Sequence, residues 1–119
     1  MKVVNEVAWM IGGPQGTGVD SSANLFSQAC ATAGLWIFGK REYHSNIKGK
    51  HSYFQVRVSD KPIHSHVDEV HILATFEDST ARLHAHEVVK GGALIYDPTK
   101  ITLDDLNLKS GVIDRKSVV

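Results

Sequence analysis

Residues 6–34 join an apolar run (Val7, Ala8, Trp9, Met10, Ile11), a glycine-rich turn (Gly12-Gly13-Pro14-Gln15-Gly16-Thr17-Gly18) and a segment of helical spacing. Four glycines in seven residues between a strand and a helix let the backbone turn tightly and approach another molecule closely. A helix opening straight after such a turn presents free N–H groups and a positive dipole end. Gly13, Gln15, Gly16, Thr17 and Gly18 are therefore read as a cradle for an anion, phosphate above all. The rest of the chain reads as an α/β layer built outward from this unit.

Val3 to Met10 is predicted as the first strand, continuing buried into Ile11. Asp20 and Ser21 supply acid and capping groups for a helix whose apolar positions are Val19, Ala23, Phe26, Ala29 or Cys30, and Ala33. Gly34 suits its end. Leu35 to Phe38 is a second buried strand, and its position after a crossover helix implies a parallel pair with the first, covered on both faces. Gly39 to Lys50 (GKREYHSNIKGK) holds Lys40, Arg41, Lys48, Lys50 and His44 against Glu42 alone. Its start is expected on the sheet edge that carries the glycine turn. Ser52 to Ser59 alternates as a half-buried strand, antiparallel to a neighbour because a short turn follows it. Ile63 to Val67 is a short return. Val70 to Phe76 and Ala93 to Tyr96 are further buried strands. Between them a helix is expected from Glu77, with Val88 inside it and Gly91-Gly92 stopping it. The central strands are placed near 5–11, 35–39, 70–76 and 93–96. Thr99 to Val119 shows only weak patterns.

The chain has 119 residues and 13 Lys plus Arg against 13 Asp plus Glu, so any basic site must be local. A GxGxxG fingerprint would need glycine at position 11, which is Ile, and an acid after the second strand, where Gly39-Lys40-Arg41 stands. NAD is disfavoured; cations there suit a ligand with an extra phosphate, NADP or coenzyme A. No Gly-Lys-Ser/Thr follows the glycines, so a Walker loop is absent. Gly13-Pro14-Gln15-Gly16 satisfies the GxxG of a KH loop, but that loop joins two helices. Nucleic acid is not an expected partner. His64 and His66 could share a side of a strand, while His84 and His86 diverge on a helix. No cysteine or acid completes either pair, and no metal site is expected. His71 reads as a hydrogen-bonded core residue. There is no Gly-x-Ser-x-Gly elbow to anchor a hydrolase triad, and no catalytic residue is assigned. Cys30, the single cysteine, excludes an internal disulfide and an iron–sulfur cluster ligated by this chain alone. It reads as inert packing. The N-terminus carries no signal peptide, and no run approaches the ~18 apolar residues of a membrane span. A soluble, cytoplasmic protein is expected.

Taken together, the loop Gly12 to Gly18, the run Arg41-Glu42-Tyr43-His44-Ser45-Asn46-Ile47-Lys48-Gly49-Lys50-His51-Ser52-Tyr53-Phe54, the stretch Arg57 to Ile63 and Asp97-Pro98 resemble the gamma domain of 2-oxoacid:ferredoxin oxidoreductases. The resemblance is strongest to archaeal-type enzymes with that domain fused ahead of the alpha domain. It covers roughly residues 6 to 98, with Ile11 and Pro14 standing where the family loop has glycines. It implies an α/β, Rossmann-like three-layer domain with a mainly parallel sheet. Residues 1–98 would form a gamma-type domain, incomplete relative to the family, and 99–119 a C-terminal tail. It further implies a part in oxidative decarboxylation of a 2-oxoacid (pyruvate or 2-oxoglutarate) to acyl-coenzyme A, with electrons passed to ferredoxin. Thiamine diphosphate and iron–sulfur clusters would be bound by partner alpha and beta domains. This chain would contribute to the coenzyme A pocket through the glycine turn with Lys40, Arg41, Lys48 and Lys50. Alone it would be inactive, self-associating through apolar surface. The alternative reading is a free-standing Rossmann-like nucleotide-binding module without a redox partner.

Overall fold

The computed structural model describes residues 6–14, 18–43, 51–63, 69–76, 78–99, 106, 108–109 and 111–116. The elements are β1 (Glu6–Pro14), α1 (Val19–Thr32), β2 (Trp36–Tyr43), β3 (His51–Ser59), β4 (Val70–Thr75), α2 (Asp78–His84) with a 3-10 turn (Ala85–Glu87), β5 (Val88–Tyr96) and β6 (Ile113–Lys116). They form a six-stranded sheet in the order β2-β3-β1-β4-β5-β6. β1, β4, β5 and β6 pair in parallel, whereas β3 runs antiparallel to both β1 and β2. The expected α/β, mainly parallel, three-layer architecture is present, and so is the antiparallel 52–59 strand.

β2 does not pair with β1, as its apolar sequence suggested; β3 lies between them, and β2 is an edge strand. Apolar content alone does not distinguish a central strand from an edge strand that a helix covers on one face. Here α1 supplies that cover, Ile37 and Leu35 packing with Val19 and Ala23 of α1 and Val58 of β3.

Alternation along each strand sorts the core into two layers. Under α1 lie Trp9, Ile11, Val56 and Val58; Phe26 stacks edge-on against Trp9 at 4.8 Å between ring centroids. On the other face Met10, Leu73, Leu94 and Tyr96 pack with Val70, Val88 and Ala81 of α2. The α1 helix ends as expected, Gly34 adopting φ 89° just beyond its C-cap at Ala33.

Three further expectations need correction. Val88 is not helical but opens β5, opposite Val70. Gly91 and Gly92 therefore interrupt a strand rather than stop a helix. Register moves from Val70↔Val88 to Ile72↔Ala93, so β5 holds extra residues there. Gly91 takes φ 78°, and a Cβ on Gly92 would sit 2.7 Å from the His71 carbonyl oxygen. Glycine is thus what the bulge requires. Finally, the tail beyond Thr99 supplies a strand, β6, in parallel register with β5 from Ala93↔Ile113 to Tyr96↔Lys116. Four residues completing a ladder are too short to show a period. The proposed return at 63–67 lies outside the described residues except for Ile63.

His71 is hydrogen-bonded, as expected, although half-buried: its Nδ1 accepts the Ala8 N–H at 2.8 Å. The bond satisfies a β1 donor one residue before the parallel ladder starts at Trp9↔Ile72. Cys30 packs half-buried in the α1 layer, and burial pushes its thiol pKa upward.

Candidate anion site at the β1–β4 crevice

In a sheet of this order, the place to look is where successive crossovers leave on opposite faces, outside the carboxyl ends of the strands. β1 is followed by α1 on one face and β4 by α2 on the other, and the two strands are neighbours. Their ends meet at Gly12, paired with Thr75, and the Phe76 N–H donates to the Gly12 carbonyl at 3.0 Å. The glycine turn therefore leaves β1 at the crevice of the sheet.

Gly12 and Gly13 belong to β1 itself, opposite Tyr53 and Ser52 of β3, and both are buried. The turn proper is thus shorter than its sequence suggests. Gly18 is the N-cap of α1 at φ 95°, a left-handed conformation that a side chain would strain. Nothing lies within 4 Å of where its Cβ would be, so the space beside the helix start is open. The Gly18 carbonyl accepts the Ser22 N–H at 3.0 Å, and no side chain caps the helix. Asp20 and Ser21 were expected to cap it. Asp20 instead lies within the first turn, where its charge suits the dipole, and its Oδ2 accepts an ion pair from Arg41 Nη2.

That pair brings Arg41 from β2 to the start of α1, across the intervening strand. Lys40 does not join it. Consecutive strand residues face opposite ways, and Lys40 pairs with Gln55 on the α2 face whereas Arg41 pairs with Phe54 on the α1 face. The expectation that both leave β2 on one edge beside the turn therefore fails for Lys40. Of the predicted site residues, Gly13, Gly18 and Arg41 converge on the crevice and the helix start. Gln15, Gly16, Thr17, Lys48 and Lys50 lie outside the described residues. Among the described residues no group of three His, Cys, Asp or Glu could hold a metal ion.

Two features escaped the sequence reading. Thr75, buried at the end of β4, borders the crevice opposite Gly12. Its only signal was a polar residue closing an apolar strand. Asp20 looked like a capping residue, yet it is the counter-charge of Arg41, and among the described residues its buried Oδ1 has no hydrogen-bond partner. The arrangement fits one anionic group: helix N–H donors, open space at Gly18 and a guanidinium within reach. It also sets one fixed carboxylate beside that group, so an incoming anion competes with Asp20 for Arg41.

A model of the pyruvate ferredoxin/flavodoxin oxidoreductase family matches residues 8–118. A 2-oxoacid:ferredoxin oxidoreductase subunit alpha from Saccharolobus solfataricus is 52% identical over 82 residues, 69% of this chain and 13% of that protein. The chain thus spans about an eighth of that relative's length. Among solved structures, a 2-oxoglutarate:ferredoxin oxidoreductase from Magnetococcus marinus, with 2-oxoglutarate, coenzyme A and succinyl-CoA bound, superposes with a TM-score of 0.82 at 23% identity. The match covers 94% of this chain and 20% of that one. The gamma subunit of a keto/oxoacid ferredoxin oxidoreductase from Geobacter sulfurreducens gives 0.77 at 16% identity, over 95% of this chain and 61% of the subunit. These likenesses establish the fold.

Proposed function

Because the chain belongs to the pyruvate ferredoxin/flavodoxin oxidoreductase family, we propose that it acts as the gamma-type domain of a 2-oxoacid:ferredoxin oxidoreductase. Residues 1–98 make up that domain, and the 99–119 segment adds β6 as its next strand. The assembled enzyme decarboxylates a 2-oxoacid oxidatively, forms an acyl-coenzyme A and passes electrons to ferredoxin. Thiamine diphosphate and the clusters belong to alpha and beta partners in the same cytoplasmic complex. The single cysteine of this chain accords with that division of labour.

The role of this domain is to help hold coenzyme A and to assemble with its partners. One observation carries the reading: a glycine-lined strand-to-helix turn leaves the sheet at its crevice, with Arg41 drawn to the helix start. Gly13, Gln15, Gly16, Thr17 and Gly18 would offer backbone N–H groups to a phosphate, and Arg41 would exchange part of its pairing with Asp20 for the same group. Lys48 and Lys50, in the stretch of sequence between β2 and β3, would meet a second phosphate. Lys40, on the opposite face, would act only if the ligand wraps around the β2 edge.

Titration calorimetry of the assembled complex with coenzyme A, dephospho-coenzyme A and NAD tests this. Coenzyme A should bind most tightly. Gly16→Val should abolish binding by blocking backbone approach. Arg41→Ala should weaken it roughly tenfold, the low end of a charge-assisted hydrogen bond, because Arg41 is partly solvated and shared. Equal affinity for all three ligands, or indifference to both substitutions, would make the turn a structural bend only.

A further inference from the structure

The crevice has a second wall, on the α2 side. Gly12 lies between Tyr53 of β3 and Thr75 of β4, in one row across three strands. Alternation puts this row on the face of Met10 and Leu73, opposite to the face of Arg41. Gly12 brings no side chain to it, so the Cα atoms of the two flanking residues, Tyr53 and Thr75, stand roughly 10 Å apart at about 4.8 Å per strand.

The α2 helix ends against the same place. His84, its last residue, is buried, and its ring meets that of Tyr53 edge-on at 4.4 Å between centroids. His84 Nδ1 lies 2.8 Å from Glu87 Oε2 of the 3-10 turn. An ionised carboxylate only accepts, so the Nδ1–H donates, and the imidazole is held in one tautomer and one plane. A buried pair of this kind adds little stability over an apolar pair of the same volume. What it supplies here is the orientation of the ring that Tyr53 packs against. Tyr53 is half-buried, packed on the layer of Met10 and Leu73. A tyrosine so placed has an apolar body in the core and a polar tip to offer.

The two walls differ in chemistry. On the α1 side stand a helix start and a guanidinium, which suit phosphate. Tyr53, Thr75, His84 and Glu87 supply two hydroxyls and an imidazole, and the one fixed charge among the four is a carboxylate, which repels phosphate. Arg82, two residues before His84, leaves the helix in a different direction and is exposed. Lys40 lies one row away, in register with Gln55. The α2 wall therefore suits an uncharged group with amide or hydroxyl functions. We propose, on the premise that coenzyme A occupies the crevice, that Tyr53 recognises its uncharged pantetheine arm through a hydrogen bond from the phenol. His84 and Glu87 are positioning residues that fix the Tyr53 ring. A ligand with its phosphates at Gly18 and Arg41 carries this arm past the Gly12 end of β1 to the α2 wall.

Titration calorimetry of the assembled complex tests this by comparing coenzyme A with adenosine 3′,5′-bisphosphate, which has phosphates but no arm. Tyr53→Phe, which keeps the ring, should weaken coenzyme A about tenfold and leave the bisphosphate within about twofold, the loss of one hydrogen bond. Arg41→Ala should weaken both ligands. Glu87→Ala should reproduce the altered selectivity of Tyr53→Phe, and Glu87→Gln, which still accepts the Nδ1–H, should restore it. Selectivity between the two ligands is the readout, because damage to the fold lowers both affinities together. Tyr53→Phe without effect on coenzyme A, while Arg41→Ala still weakens both ligands, overturns the proposal and leaves the crevice as a phosphate site. Equal losses of both ligands in Tyr53→Phe, or identical behaviour of the two Glu87 variants, overturn it as well. Indifference of both ligands to Arg41→Ala removes the crevice reading itself, and the role of Tyr53 with it.

Discussion

Asp20 and Arg41 show how one residue decides what a helix start can hold. The first turn of α1 favours negative charge, and Asp20 already supplies one, with Arg41 as its partner. Removing the charge while keeping the shape should weaken the competition for Arg41 at the helix start, so Asp20→Asn is expected to tighten coenzyme A binding in the assembled complex. Calorimetry would read this as a lower Kd with a steeper salt dependence; weaker binding would mean that Asp20 itself holds the ligand. Elsewhere single residues are fixed by backbone geometry. A Cβ at position 92 meets the His71 and Val89 carbonyl oxygens at 2.7 and 2.9 Å, and backbone atoms cannot swing aside as a side-chain tip can. Gly92→Ala should therefore cost roughly 1–3 kcal/mol in denaturant unfolding. His71→Phe should cost a similar ~1–3 kcal/mol, because it strands the Ala8 N–H inside the sheet. The Cys30 thiol, raised by burial, is neutral in the fold to higher pH than in the unfolded chain. Its contribution to stability is present below the unfolded pKa and lost as pH rises through the folded one.

At the scale of elements, stability should follow the two core layers and not the apolar count of each segment. Leu94 is fully buried between β5 and α2, so Leu94→Ala should cost about 2–5 kcal/mol. Leu25 is 69% exposed on α1, and Leu25→Ala should change stability by no more than about 0.5 kcal/mol. Equal losses, read as shifts in urea midpoint at constant slope, would contradict the layering. The same contrast explains what could be read from the chain. β1 and β4 were legible as short apolar runs, β3 by its alternation and α1 by apolar positions at helical spacing. The antiparallel sense of β3 followed from the short turn after it. The position of β2 was not legible, because pairing partners are set by tertiary contacts that apolar content does not encode. Val88 was drawn into a helix because Ala81, Leu83, His84 and Val88 keep helical spacing, while the chain turns through a 3-10 segment at Ala85. The glycines of the turn were read as a sharp bend after the first strand, and Gly12 ends beside Thr75 where β1 and β4 meet. Which cation would reach it depended on the parity of two adjacent strand residues, and parity is fixed only once register is known.

On the scale of the whole molecule, the sheet presents two edges and two half-open faces, and charge separates their roles. Among the described residues, Lys40 and Arg41 lie along β2 at one edge, and charged side chains on an edge oppose strand addition from another molecule. Association of the isolated chain should therefore proceed through a face. The candidate far from β6 is the α2 side of β2, where alternation places Trp36 and Phe38 opposite Ser59 and Arg57. Trp36 is 49% exposed. A large aromatic left half in water on an open sheet face is a source of association free energy, since burying it removes apolar area at about 25 cal/mol per Å². The 119-residue chain is expected to show a weight-average mass that rises with concentration in sedimentation equilibrium. Trp36→Lys should weaken that association about tenfold, equivalent to ~1.4 kcal/mol, with the far-ultraviolet circular dichroism unchanged. Leu25→Lys, on the outer surface of α1, should leave the association constant where it was. A mass fixed at 13.1 kDa across the accessible concentrations, or equal effects of the two substitutions, would show that the β2 half-face is tolerated in water and that contact with partner subunits is made elsewhere.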